Sequence, residues 1–315
     1  MVKKSFKLLI IILLTTSAGV YAADFPAWVS ACSIQNTLAG DTIPAGKVKG
    51  KTKGTTKPKK YKTTITGKKV TFENFDQQYE RAMRYYNNQQ FLSAAGIFED
   101  LYPLSLGTPR ADTILFLFAH SYYMNGDYEM AAFHFRDYVR RYPNSERTED
   151  AFYYGTSAIY KTSPDYSLDQ SNTEYAIEQI KAFIQAYPDN AHIEECNTML
   201  DALRLKLARK DLEMLILYYN TDHYEACQIA AKNFFNEYSY SPLIPEAIYY
   251  LVLNNYEYAR KSVVRKQEER YKACLDACNR MLLNYEETKY TKEVERISKD
   301  VQKQLLKFNK NSQNN

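Results

Sequence analysis

Five cysteines and four histidines are the residues of this 315-residue chain best suited to chemistry. Cys274 and Cys278 stand four apart, on one face of a helix, where two thiolates could share a metal ion. No histidine and no second cysteine pair accompanies them, so a four-coordinate site is not filled. Cys227 and Cys274 hold the small-residue position that Ala94, Ala131 and Ala176 hold earlier in the chain, and Cys278 holds that of Phe98, Phe135 and Ile180. They read as small core residues. Cys196 has no counterpart in the pattern. His120, His134, His192 and His223 are scattered, and none is read as a metal ligand or as the base of a nucleophile. Glu194-Glu195 and Glu268-Glu269 read as solvated helix faces. Residues 45–52 (AGKVKGKT) fit a relaxed phosphate-loop pattern. That chemistry needs a preceding strand and a following helix to aim backbone N–H groups at phosphate, and the pattern supplies neither. No catalytic constellation emerges. The expectation is a protein that is not an enzyme and uses no cofactor and no metal.

What these residues sit in is helical. Residues 111–145 hold two amphipathic segments that meet at Asn125-Gly126-Asp127. Leu115, Phe118, Ala119 and Tyr122 share one face before the turn, and Tyr128, Ala131, Phe135 and Tyr138 share one after it. Small Ala119 and Ala131 permit close approach, Gly126 frees the turn, and Pro143 ends the second helix. The order of aromatic, small and proline positions resembles a tetratricopeptide repeat (TPR), a unit of about 34 residues. Related hairpins flank it. Ala82 and Tyr85 precede a turn, and Phe91, Ala94, Phe98 and Leu101 follow it. Tyr154, Gly155 and Ala158 precede the enlarged loop 161–172, and Ala176, Ile180, Phe183 and Pro188 follow it. A long helix is predicted from His192 to Tyr219, then a fourth second helix through Tyr224, Cys227, Ala231 and Phe234. A fifth pair follows, Ile248 to Lys261 and Tyr271 to Leu282, joined by the long charged connection SVVRKQEER. The fold predicted is all-α, a right-handed TPR-type α-solenoid of about five helix-turn-helix repeats with a C-terminal capping helix at 291–308.

Charge is uneven. The formal net charge is +4, yet residues 47–69 carry ten Lys and no acid, so the rest of the chain is acidic on balance. An acidic helical body does not suggest a nucleic-acid partner. Lys3, Lys4 and Lys7 followed by the apolar run Leu8–Leu14 read as an export signal too short to span a bilayer. Val20-Tyr21-Ala22 suits ordinary cleavage, giving a signal peptide at 1–22. Val29-Ser30-Ala31-Cys32 resembles a bacterial lipobox, giving a lipoprotein signal at 1–31 with lipid on Cys32. Residues 23–70 form a Lys/Thr/Gly-rich flexible linker, read as a self-repelling spacer or as attraction to anionic lipid or cell-wall polymer. The solenoid then occupies 71–308 and a disordered tail 309–315.

The first helices carry a further stripe of large side chains. Carried over from the TPR pattern, the groove-facing positions are Tyr79, Met83 and Tyr86, then Phe116, His120 and Tyr123, then Phe152, Thr156 and Ile159. Large amphipathic rings lining a groove suit capture of an extended peptide or partner helix. The hairpins NNQQFLSAAGIFEDLYP and GDYEMAAFHFRDYVRRYPNS, the DQ of the long loop, and LARKDLEMLILYYNTDHYEACQIA together resemble the BamD family in its Bacteroidetes form. These are TPR lipoproteins of the outer-membrane β-barrel assembly machine. The likeness covers about residues 74–260. The resemblance implies a non-enzymatic periplasmic scaffold at the outer membrane. It would bind a BamA-type barrel insertase through its C-terminal half and unfolded outer-membrane proteins through its N-terminal repeats. Lipid contact would come through the anchor or the Lys-rich linker. The displaced lipobox and long linker depart from the family. A periplasmic TPR adaptor coordinating cell-wall synthesis or envelope constriction is the alternative. A lytic transglycosylase on an α-solenoid would need a compact catalytic domain, and no stretch is left over to form one.

Overall fold

The computed structural model describes residues 70–285 and 287–313, with side chains through Phe308. All of them fall in the compact unit Lys59–Asn315. The expected signal segment, Cys32 and the Lys-rich linker lie outside the described residues.

Among the described residues there are eleven α-helices and no strand. A 3-10 turn at Phe72–Asn74 leads into α1 (Phe75–Asn87) and α2 (Phe91–Ser105). Next come α3 (Ala111–Asn125), α4 (Tyr128–Arg141), α5 (Thr148–Lys161) and α6 (Ser171–Ala186). The long α7 (Ile193–Asn220), α8 (Tyr224–Glu237), α9 (Ile244–Arg260), α10 (Val264–Asn284) and α11 (Thr291–Gln313) complete the chain. Each helix packs on its predecessor and its successor, and α3 also touches α5, as α9 touches α7 and α11. That is the nearest-neighbour pattern of a TPR-like helical repeat solenoid, as expected.

The second helix of every hairpin presents the same core edge. Ala94, Ala131, Ala176, Cys227 and Cys274 are each 0% exposed, and Phe98, Phe135, Ile180, Ala231 and Cys278 one turn later are equally closed. Small residues let the first helix approach, and Phe98, Phe135 and Ile180 fill the space beside it in the first three hairpins. Burying one such Phe stabilises by about 2 kcal/mol. The turns follow from backbone chemistry. Gly126 takes φ +85°, and the Gly126 and Asp127 N–H groups close onto the Tyr123 and Tyr122 carbonyls. The α1–α2 and α7–α8 turns make the same left-handed step without glycine, at Gln89 and Asp222, both at φ 59°. Lys261 Nζ holds both Asp222 carboxylate oxygens, at 2.9 and 3.0 Å.

The C-terminal boundaries differ from the expectation. α9 starts at Ile244, with Pro245 in its first turn, and the long charged connection shrinks to residues 261–263. RKQEER belongs to α10, because these are good helix formers with no Gly or Pro among them. α11 continues past Phe308 to Gln313, through a stretch that likewise lacks Gly and Pro.

Candidate functional site: an aromatic ladder across the first three repeats

The nine groove positions lie on the first helices α1, α3 and α5, and none is fully open. Phe152 is 7% exposed and Thr156 1%, whereas the other seven are half-buried. Phe152 turns toward the second helix α6, its ring 5.6 Å from Phe183 at 90° and 6.2 Å from Tyr187. It is a core ring, so it and Thr156 offer no open surface. The reason is register: α5 presents Tyr154, not Phe152, toward α3.

The remaining rings form a ladder from one repeat to the next. Tyr86 Oη and His120 Nδ1 are hydrogen-bonded at 2.7 Å. His120 meets Tyr154 edge-on, centroids 4.9 Å apart at 89°. Tyr123 lies 5.2 Å from the same Tyr154 ring, and its hydroxyl is bonded to Ser157 Oγ at 3.0 Å. Phe116 stacks on His120 at 6.0 Å and stands on edge against Phe135 and Tyr138. Burial lowers the His120 pKa and so favours its neutral form, and it raises that of Tyr86, with Tyr154 adding to the effect. The face is a set of neutral, mutually braced rings, apolar in body and polar only at hydroxyl tips and the His120 imidazole.

Arginines frame it. Arg110 caps the start of α3 and Arg147 the start of α5. Arg110 lies over Tyr79 and pairs with Asp76, and Arg147 lies over Phe116 and donates to Thr113 Oγ1 at 2.8 Å. Equivalent positions of the first two hairpins are 37 apart, as Phe91 and Tyr128 open α2 and α4. Yet bonded partners across repeats are 34 apart: Tyr86–His120, Asp76–Arg110, Thr113–Arg147 and Tyr123–Ser157. Each first helix therefore sits about one turn back against its predecessor. Sequence reasoning missed Tyr154, Ser157 and both arginines. Counting 34 strictly from Tyr86 reaches His120 and then Tyr154, so the signal was there.

The loop between α5 and α6 is fastened. Gln170 is 4% exposed. Its Nε2 donates to the Asp165 and Leu168 carbonyls at 2.7 and 3.1 Å, and its Oε1 accepts from Thr173 at 2.8 Å. From α7, Lys206 reaches Ser163 Oγ at 2.7 Å and Lys210 the Leu168 carbonyl at 2.8 Å. Leu168 is left 58% exposed at the surface.

The cysteines sit apart from this face. Cys196, Cys227, Cys274 and Cys278 are free thiols and fully buried. Burial pushes the Cys227 thiol up to about 12 and Cys196 up to about 11, with the Glu195 charge adding to the latter. Among the described residues no three His, Cys, Asp or Glu side chains cluster as a metal site. No described helix is long and apolar enough to cross a membrane.

Two comparisons with known proteins bear on this face. Residues 73–224 match the family model YfiO, described as outer membrane lipoprotein. The chain is also 23% identical over 133 residues to the outer membrane protein assembly factor BamD of Caulobacter vibrioides. That alignment covers 42% of this chain and 44% of the relative, so the chain spans under half the length of the curated relative it matches. Both likenesses bear out the resemblance to BamD-type outer-membrane assembly factors. The family match holds the whole ladder and stops at the first residue of α8.

Proposed function

We propose that this chain is a non-enzymatic scaffold of outer-membrane protein assembly, working at the periplasmic face of the outer membrane. The observation that carries it is the coincidence of the family match, residues 73–224, with the braced aromatic face of α1, α3 and α5. In this reading the rings of Tyr79, Tyr86, Phe116, His120 and Tyr123, with the aliphatic side chains of Met83 and Ile159, receive extended segments of unfolded barrel proteins. Alternate side chains of such a strand are apolar and suit a wall of rings with polar tips. The C-terminal half holds a BamA-type insertase. Holding substrate and insertase on one body raises their effective concentration without bond chemistry. Anchoring falls to Cys32 or to the Lys-rich segment.

Depletion of the protein tests the role, read as the abundance of outer-membrane barrel proteins against periplasmic and inner-membrane controls. A selective fall in barrels is expected. Unchanged barrel levels together with retention of the protein on isolated sacculi would replace this reading with that of a cell-wall adaptor. Photocrosslinking from Met83 or Ile159 locates the substrate. Adducts to barrel precursors are expected there and not from Ile229 on α8.

A further inference from the structure

Beyond the family match, α8, α9 and α10 line an open pocket of about 420 Å³. It is large enough for a side chain and its terminus. Gln228, Lys232 and Asn236 line it at successive turns of one face of α8, with Phe235 beside them. α9 contributes Leu251 and Asn255 one turn apart, and α10 contributes Arg280. No lining residue is acidic.

The polar groups are set rather than loose. Asn255 is 5% exposed, and its Oδ1 accepts from Gln228 Nε2 at 2.8 Å. That bond fixes both amides and leaves Gln228 a second N–H to give. The Arg280 guanidinium carbon lies over the Phe235 ring, 4.1 Å from its centroid. That contact holds the cation against the ring, with its N–H groups as donors at the pocket. Some other cations of the described residues find carboxylates, such as Arg209 with Glu213 and Glu246, Arg260 with Glu257 and Lys272 with Glu268. Lys232 and Arg280 form no ion pair among the described residues. Two unpaired cations beside the fixed Gln228 amide, with Phe235 and Leu251 near them, match a carboxylate next to an apolar side chain.

We propose that this pocket binds a partner peptide, seating a carboxylate on Lys232, Arg280 and the Gln228 amide and an adjoining apolar side chain against Phe235 and Leu251. The carboxylate belongs to a chain terminus or to an Asp or Glu beside an apolar residue. The site is separate from the ladder and does not depend on its role.

The test uses the full mature chain and three fluorescein-labelled octapeptides read by anisotropy. One ends in Phe-Leu with a free carboxylate, the second is the same peptide amidated, and the third is amidated with Glu beside the Leu. Saturable binding of the first or third, weakened about tenfold or more in the amidated control, is expected. Which of the two binds distinguishes terminus from side chain. Lys232→Gln with Arg280→Gln is expected to abolish that binding with circular dichroism and thermal melt unchanged, since both side chains are exposed. Arg280→Lys alone keeps the charge but loses the forked donor, and should bind in between. Equal binding of all three peptides, no binding up to millimolar concentration, or an unaffected double variant overturns the proposal. So does retention on anionic phospholipid vesicles that the double variant loses while no peptide binds.

Discussion

Replacing Gln170 with Ala tests whether the long loop after α5 is a built element. Three hydrogen bonds vanish: two donated by Nε2, at 2.7 and 3.1 Å, and one accepted by Oε1, at 2.8 Å. None of the partners is orphaned. The Asp165 carbonyl keeps the Leu168 N–H at 3.1 Å, the Leu168 carbonyl keeps Lys210, and the Thr173 hydroxyl keeps Ser163 Oγ at 2.7 Å. The loss is therefore that of bonds alone, about 2 kcal/mol for three at the lower end of their usual worth. In a repeat chain that loss is spent locally, so hydrogen exchange of residues 161–173 is the right reading. Opening of this segment should become about 30-fold easier while peptides from α2 and α10 stay unchanged. Gln170→Glu is the control. It is isosteric and keeps an acceptor for Thr173, but it sets a carboxylate against two carbonyls and should loosen the loop at least as much. Exchange in 161–173 within threefold of the parent, or a Glu variant as protected as Gln, would refute the claim that the amide N–H groups hold the loop.

Two glycines on helices should respond with opposite sign to the same added methyl. Gly96 has open space where a Cβ would stand, so Gly96→Ala should raise stability by about 1 kcal/mol in urea unfolding. At Gly155 the added Cβ meets Phe135 Cβ at 3.1 Å, and Phe135 is fully buried against Phe116 and Tyr154, so Gly155→Ala should lower stability despite its better helix propensity. His134 stacks on Tyr122 with a buried Nε2 that has no partner, and burial lowers its pKa. The unfolded chain then binds the proton more readily, so stability is full above the ordinary histidine pKa and falls as pH drops below it. The nearby Asp137 charge opposes this shift and is the smaller effect. His134→Phe should keep or raise the melting temperature at pH 7.5 and flatten its fall between pH 7 and 5.5, His120 supplying the slope that remains. The four described cysteines should resist 5,5′-dithiobis(2-nitrobenzoic acid) at pH 8 in the native protein and react on denaturation, because buried thiols yield little thiolate.

The sequence by itself determined the repeat. Periodic apolar positions, small residues at Ala94, Ala131, Ala176, Cys227 and Cys274, and the glycine at 126 act within one hairpin, where spacing alone decides which residues share a face. The same logic placed Cys227, Cys274 and Cys278 in the core. Local propensity also decided that RKQEER is helix, a signal outweighed in reading by its charge. What only tertiary structure decided is how one hairpin meets the next. The one-turn setback between first helices depends on the packing of two surfaces distant in sequence. It turns Tyr154 into the ladder and Phe152 out of it, and it brings the Arg110 and Arg147 caps over Tyr79 and Phe116. The α8–α10 pocket has the same origin: Lys232, Asn255 and Arg280 carry no shared motif, and only the stacking of three helices puts two unpaired cations and fixed amides around one space.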